Sequence, residues 1–465
     1  MSAPTALIMA AGQGTRMRSS VPKVLHEVCG RPMVAWPILA AREAGAGRVC
    51  VIVSPDSEVP AGLPDGIETV VQERPDGTGG AIRAASEVIS GSDSVLVLSG
   101  DHPLISAAVL GELIEAQAGR GAGAAVLTTE PEDPGSYGRV IRAADDSFER
   151  IVEAKAEGDA TPEQLRIPEV NAGTYAFSAG SLRNALAGLN NDNAQGEYYL
   201  PDVLPLIREA GELVVAHKVA DSSVNLGVND RVQLSIVNEK ARQSILEEHM
   251  RAGVTIVDPA ATWIDAEVEL APDVRIEPGT TLRGSTSVGA GSVIGPMTTL
   301  IDATVGERVT IPHSYLTECE VADGVSVGPF AHLRPGARLA EGSKAGSFVE
   351  IKNSEIGAGA KVPHLSYIGD AEVGEGTNLG ASTITANYDG VRKNRTKIGK
   401  DVHTGVDTTL VAPVEVGDEA YTGAGSVITE DVPPGALGIS RAEQKSVEGY
   451  AKEKAKESKE EGKGS

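Results

Sequence analysis

From Val268 to Ile428 an apolar residue returns at every sixth position over long stretches. Ile276, Leu282, Val288, Ile294 and Leu300 set the stride, and Val321, Val327, Leu333 and Leu339 take it up again. Ile356, Val362 and Ile368 repeat it. Ile398, Leu410, Val416 and Ile428 share one more grid, with Thr404 and Thr422 in two of its gaps. A helix brings an apolar residue round every three or four positions and a half-buried strand every second one, so neither explains this stride. A parallel β-helix does: each hexapeptide supplies a short strand and a corner, and its apolar residue points inward. Gly follows the inward residue at Val288-Gly289, Ile294-Gly295, Ile356-Gly357, Val373-Gly374 and Val416-Gly417, where a corner needs a residue without a large side chain. One coil cannot bury its own inner face, so coils must stack. A Gly-rich β-sandwich fits the period less well. Spacing alone leaves the hand of the coil open, and crossover rules favour right-handed.

Composition agrees with such a coil. Aromatic residues are 3% of the chain and glycines number 54, as suits corners and a core of small and β-branched side chains. The 465 residues suffice for two or more domains. A net charge of −24 argues against general nucleic-acid or anionic-membrane partners. It leaves room for anionic substrates in a local cationic pocket. Cys29, Cys50 and Cys319 have no metal-ligand spacing and read as reduced thiols of a cytoplasmic protein. No apolar run approaches the ~20 residues of a membrane span. The chain enters a strand at once, so no secretory leader is expected.

Ahead of the coil, short apolar strands alternate with helical stretches: Ala6–Met9, Val49–Val53, Thr69–Val71, Val95–Leu98 and Ala124–Thr128, with helices over Pro32–Ala44 and Ala81–Ile89. That alternation predicts an α/β, Rossmann-like domain, a mostly parallel sheet covered on both faces. Ligands then sit at the carboxyl ends of the strands, where the loop Ala10-Ala11-Gly12-Gln13-Gly14 and Asp101 both fall. Asn229–Arg251 reads as one long helix with an apolar stripe of Val232, Ile236, Val237, Ala241, Ile245 and Leu246. Asp230 and Gln233 form its capping box and Gly253 its stop. The expected organisation is the α/β domain over 1–228, a linker helix over 229–253, the coil over 254–449, and a tail over 450–465 without regular structure.

The Gly-rich loop can hold phosphates on its N–H groups. No Gly-Lys-Ser/Thr follows, so it is not a P-loop, and Gly12-x-Gly14 lacks the third Gly of the dinucleotide fingerprint. Lys23, in Val21-Pro22-Lys23, could neutralise phosphate charge during attack on a nucleotide α-phosphate. Asp101 suits Mg2+, which takes one or two protein oxygens beside phosphates and water, or serves equally well as a helix cap. The run Met9-Ala10-Ala11-Gly12-Gln13-Gly14-Thr15-Arg16-Met17 with Lys23 resembles the signature of the sugar-phosphate nucleotidyltransferases. Further segments agree in order: Gln72 with Gly77-Thr78-Gly79, Ser99-Gly100-Asp101, Tyr137-Gly138-Arg139, Ile151-Val152-Glu153, Asn171-Ala172-Gly173 and Gly227-Val228-Asn229. With the coil attached, the resemblance covers about residues 5–449. It narrows to the bifunctional uridylyltransferase–acetyltransferases that make UDP-N-acetylglucosamine for peptidoglycan and other cell-envelope polysaccharides.

That resemblance implies roles. Met9, Ala10, Ala11, Gly12 and Lys23 would hold UTP, and Gln72, Gly77 and Thr78 would read uracil. Gly138, Glu153, Asn171 and Asn229 would hold N-acetylglucosamine-1-phosphate, and Mg2+ would sit on Asp101 and Asn229. Gly80 departs from the pattern, where relatives often carry His after Gly-Thr-Gly, as does Met9, where Leu is usual.

On the coil, regularity is expected to break around Phe330–Lys352 and again around His364–Arg395, where Arg334 and Lys352 should point outward beside His364 and Tyr367. Each cation alone reads equally well as a solvated charge; together, in an acidic chain, they suit a phosphate. His364, in Val362-Pro363-His364-Leu365-Ser366-Tyr367, matches the family's catalytic base, and imidazole can deprotonate an ammonium near neutral pH. The resemblance implies glucosamine-1-phosphate contacts from Arg334, Lys352, Tyr367 and Asn378. It implies acetyl-CoA contacts from Ala381, Asn387, Tyr388, Val406, Ala424 and Arg441, a left-handed coil, and a homotrimer with the donor site between subunits. Ser382 stands where Gly is common and Val406 where Ser is. No Ser-His-Asp or Cys-His set suggests an acyl-enzyme. The alternatives are a monofunctional nucleotidyltransferase with a structural or regulatory coil, and a non-enzymatic binding subunit.

Overall fold

The structure is a computed structural model that describes residues 3–154, 159–192 and 196–461. It divides into two compact units: residues 1–248 with 264–267, and residues 249–263 with 268–465.

The first unit is a sheet built from β1 (Thr5–Met9), β2 (Arg48–Val53), β3 (Glu68–Val71), β4 (Ser94–Ser99), β5 (Ala124–Thr129), β6 (Arg139–Arg142), β7 (Phe148–Val152), β8 (Val170–Ser178) and β9 (Val214–Lys218). Its order is β9-β5-β8-β4-β1-β2-β3, with β6 and β7 a hairpin attached to β8. Pairs are parallel except those of β8 and the hairpin. Alternate residues feed two cores. Leu7, Cys50, Ile52, Val95 and Val97 face one layer of helices, and Ala6, Ile8, Val49, Val51, Leu96 and Leu98 the other. The expected helix over Ala81–Ile89 is two, Thr78–Ala84 and Ser86–Ser90.

The chain leaves β1 towards β2 on one side and returns to β4 on the other, so a crevice opens at the carboxyl ends of β1 and β4. Met9 lies opposite Ser99 there, which sets the Gly-rich loop beside Asp101. The long helix runs Arg231–Arg251. Asp230 Oδ1 accepts from the Val232 and Gln233 amides, and Gln233 Oε1 accepts from Asn229 N. The helix's apolar face is narrower than its sequence suggests. Val237, Ala241 and Leu246 are buried, but Val232 and Ile236 are exposed, because no described residue of this unit covers their side of the first turns.

In the second unit, successive hexapeptides fall on three successive parallel sheets of seven, ten and nine strands. Each strand pairs with the one a coil further on, so Leu282, Leu300, Leu316, Leu333, Ile351 and Ile368 form one inward column. Every apolar residue of the six-residue grids is buried, as are Thr404 and Thr422. The two threonines meet the coil's hydrogen-bonding needs: Thr404 Oγ1 and Thr422 Oγ1 accept from Gly380 N and Gly405 N.

Two expectations need correction. No break occurs over 330–352, where strands His332–Leu333, Arg338–Leu339, Lys344–Ser347 and Glu350–Lys352 continue the three sheets; polar outward residues do not interrupt an inward stride. The coil does let out a loop between strands Ile384–Ala386 and Thr396–Ile398. The tail, expected without regular structure, carries a helix over Tyr450–Glu461, with 462–465 outside the described residues. Ala, Lys and Glu are strong helix formers, and Lys454 pairs with Glu457 one turn on.

Candidate functional sites

At the first crevice, Gly14 sits at φ +60, and a Cβ there would lie 2.5 Å from the Lys23 Cβ. A glycine is therefore what lets Lys23 close over the loop. Lys23 Nζ reaches Asp101 Oδ2 at 2.5 Å, with both side chains largely buried. Asp101 Oδ1 accepts from Ser99 Oγ at 2.6 Å and lies 2.9 Å from His102 Nδ1. Burial by itself would raise the Asp101 carboxyl. The His102 ring and the Lys23 ammonium outweigh it and hold the group well below the usual carboxylate range.

Two cavities meet at this carboxylate. One, about 310 Å³, is lined by Met9, Ala10, Ala11, Gly12, Lys23, Gln72, Gly77 and Thr78. The other, about 640 Å³, is lined by Gly138, Glu153, Asn171, Asn229 and Arg16 among others. Met9, Thr78, Ser99, Asp101 and Tyr199 line both. The expected nucleotide residues thus line the smaller lobe, with Met9 and Thr78 reaching into both, and the expected sugar residues line the larger. Several polar groups already have protein partners: Asn171 Nδ2 donates to Tyr175 Oη, and Asn229 Oδ1 accepts from Arg16 Nη2 at 2.8 Å. Arg16 stands out in the sequence only as part of a motif, and the signal for His102 is its place next to Asp101.

On the coil, the expected residues sort into two groups. His364 is exposed at the end of strand Lys361–His364. Above it, one coil apart each time, stand Ala381, Val406 and Ala424. Ser382 N donates to His364 O, Asp407 N to Ala381 O, and Gly425 N to Val406 O. Arg441 Nη1 caps the column by donating to Ala424 O at 2.9 Å. Asn378 continues the same sheet, bridged to Lys361, the first residue of the strand that ends in His364, and to His403.

The second group is cationic. Arg334 Nη1 donates to Glu350 Oε1 at 2.8 Å. The Lys352 ammonium is held below the usual lysine range, first by its contact with the Lys393 ammonium, with burial and Arg334 adding to the shift and Asp370 opposing it. Crowded like charges of this kind suit an anion. Asp370 is buried. Burial would raise its carboxyl, but Asn353 Nδ2 at 2.6 Å, Asn387 Nδ2 at 2.5 Å, Lys352 and Lys393 hold it low. The Asn387 amide, expected on acetyl-CoA, is thereby committed to Asp370. Tyr367 Oη and the Asn387 amide both lie against Gly369, where an added Cβ would come within 2.5 Å and 2.7 Å of them. Tyr388 is exposed and donates to Gly390 O. Lys393 was missed in the sequence because it lies on the loop that leaves the coil, where no period marks it.

The family model of the MobA-like NTP transferase domain matches residues 6–199. The chain is 46% identical to the bifunctional protein GlmU of Mycolicibacterium vanbaalenii over 458 residues, 96% of this chain and 92% of the relative. It is 45% identical, over the same shares, to the bifunctional proteins GlmU of Mycobacterium marinum and Mycobacterium tuberculosis. The chain belongs to the GlmU family. With GlmU membership the coil is the left-handed parallel β-helix that the resemblance implied, and the protein is a transferase with two activities.

Three departures from the family pattern differ in what surrounds them. At Gly80 the space for a side chain is filled: a Cβ would lie 1.8 Å from Asp76 Oδ1. Ser382 occupies φ +59, a conformation that favours glycine. Val406 is exposed in the column above His364, so an apolar face replaces a hydroxyl there.

Proposed function

We propose that the coil transfers acetyl from acetyl-CoA to glucosamine-1-phosphate, and that the first unit couples the product, N-acetylglucosamine-1-phosphate, to UTP. In the acetyl step His364 takes the proton of the substrate ammonium. The freed amine attacks the thioester carbonyl, the C–S bond breaks, and the CoA thiolate leaves as the thiol with the second proton that the nitrogen sheds on becoming an amide. The Ala381 N–H faces the developing oxyanion, and Arg334, Lys352 and Lys393 hold the sugar phosphate. The column from Ala381 to Arg441 marks the track for coenzyme A. Transfer is direct: Cys319, the cysteine of the coil, is buried, and burial pushes its thiol up to about 12.

In the uridylyl step an oxygen of the sugar phosphate attacks the UTP α-phosphorus, and the bond to pyrophosphate breaks. Lys23 neutralises charge on the phosphates, Gln72, Gly77 and Thr78 take the uracil, and Gly138, Glu153 and Asn171 the sugar. An ionised Asp101 and the Asn229 side-chain oxygen, which both line the larger cavity, are hard oxygens that would hold Mg2+, and the ion would supply positive charge to the phosphates. The meeting of the two cavities at Asp101, with Lys23 paired to it, carries this reading. We also place the protein in the cytoplasm as a homotrimer joined through the coil. Its three cysteines are free and buried, and none of its helices is long and apolar enough to cross a membrane among the described residues.

The test assays both half-reactions. His364→Ala should abolish CoA release from acetyl-CoA and glucosamine-1-phosphate while sparing pyrophosphate release from UTP and N-acetylglucosamine-1-phosphate. Lys23→Ala should do the reverse. Equal loss of both activities in either variant would sink the two-site assignment.

A further inference from the structure

The Gln72 side chain is buried at the end of β3 and lines the smaller cavity. Its Nε2 donates to Asp76 Oδ1 at 3.0 Å and to Gly77 O at 3.2 Å. Asp76 does not itself line the cavity. Its backbone is tied down instead: Tyr198 N donates to Asp76 O at 2.8 Å, and Gly79 N donates to Tyr198 O at 2.7 Å.

The chemistry of these partners fixes the amide. An ionised carboxylate and a carbonyl can only accept, so Gln72 must turn its NH2 towards both and its Oε1 away. The one end left for a ligand is an acceptor. A pyrimidine whose ring N3 carries hydrogen, as uracil does, can donate to it. Cytosine presents a bare N3 there, and two acceptors facing each other repel. Without the carboxylate only the Gly77 carbonyl holds the NH2 in place, and the amide is freer to turn over and offer cytosine a donor.

Gly80 belongs to the same device. A Cβ at position 80 would lie 1.8 Å from Asp76 Oδ1 and 2.4 Å from its Cγ. A side chain at 80 and the carboxylate in this place exclude each other, so glycine at 80 is what allows Asp76 to reach Gln72.

We propose that Asp76, admitted by Gly80, is a positioning residue for base selection, locking the Gln72 amide with its oxygen towards the base so that the site takes UTP and rejects CTP. This rests on the reading that Gln72 meets the base, and the test separates the two. Asp76→Ala, Gly80→Ala, the double variant and Gln72→Ala are assayed for kcat and KM with UTP and with CTP, with acetyl transfer as the check that the chain is folded.

Loss of one oriented hydrogen bond corresponds to roughly a tenfold effect. Asp76→Ala should lower kcat/KM for UTP about tenfold, mostly through KM, and narrow the UTP-to-CTP preference by a similar factor. Gly80→Ala should reproduce this by displacing the carboxylate. The double variant should be no worse than either single change, because both remove one interaction. If Gln72→Ala narrows the preference while Asp76→Ala and Gly80→Ala change only kcat or stability, Asp76 is merely structural and the proposal fails. If Gln72→Ala leaves the preference intact, the assignment of Gln72 to uracil fails, and the proposal with it.

Discussion

The Lys23 ammonium and the Asp101 carboxylate meet at 2.5 Å where two cavities of the first unit join. They come from either side of the crevice between β1 and β4, so the pair depends on the sheet order and on no local sequence pattern.

The folded Asp101 carboxyl titrates below its unfolded value near 3.9. Its contribution to stability is therefore complete above the unfolded pKa and is lost only as pH falls through the folded one. Across about pH 5–8 neither stability nor the uridylyl rate should change on account of Asp101. Asp101→Asn should lower stability by about 3 kcal/mol, because it leaves a largely buried Lys23 without its counter-charge. Thermal melting of the two proteins from pH 5 to 8 checks both statements, and an unchanged midpoint in the variant would contradict them.

Lys393 is the first cause of the lowered Lys352 pKa. Lys393→Ala should raise the Lys352 titration towards the ordinary lysine value, which NMR of labelled lysine side chains can follow. The same change should raise KM for glucosamine-1-phosphate about tenfold by removing one charge-assisted hydrogen bond. An unmoved KM would place the phosphate elsewhere.

Ser382 stands at φ +59. A non-glycine residue there costs about 1 kcal/mol, so Ser382→Gly should stabilise the coil by about that amount, read as a higher urea midpoint. A lower midpoint would mean that the serine side chain contributes more than its backbone strain costs.

Inward and outward residues should differ sharply. Leu333, fully buried in its column, should cost 2–5 kcal/mol as Leu333→Ala, a magnitude on the order of other core truncations. Arg338 is exposed and pairs with an exposed Glu320, and Arg338→Ala should cost less than about 1 kcal/mol. Equal losses in urea unfolding would refute the assignment of faces.

The sequence by itself determined the coil. A stride of six forces an inward residue onto each of three sides in turn, and every position named from the stride is buried. It also determined the crevice of the first unit, since a Gly-rich loop and an Asp after separate strands must share the carboxyl edge of a parallel sheet. Only the tertiary structure decided which outward groups meet. Lys393 reaches Lys352 from a loop that no period marks. Asn387 turns to Asp370, a coil below it. Asp76 reaches Gln72 because position 80 has no side chain. Periodicity records burial, which each residue satisfies by its own polarity. Hydrogen bonds and charge contacts depend on pairs, and a pair has no signature in the sequence until the fold brings its members within reach.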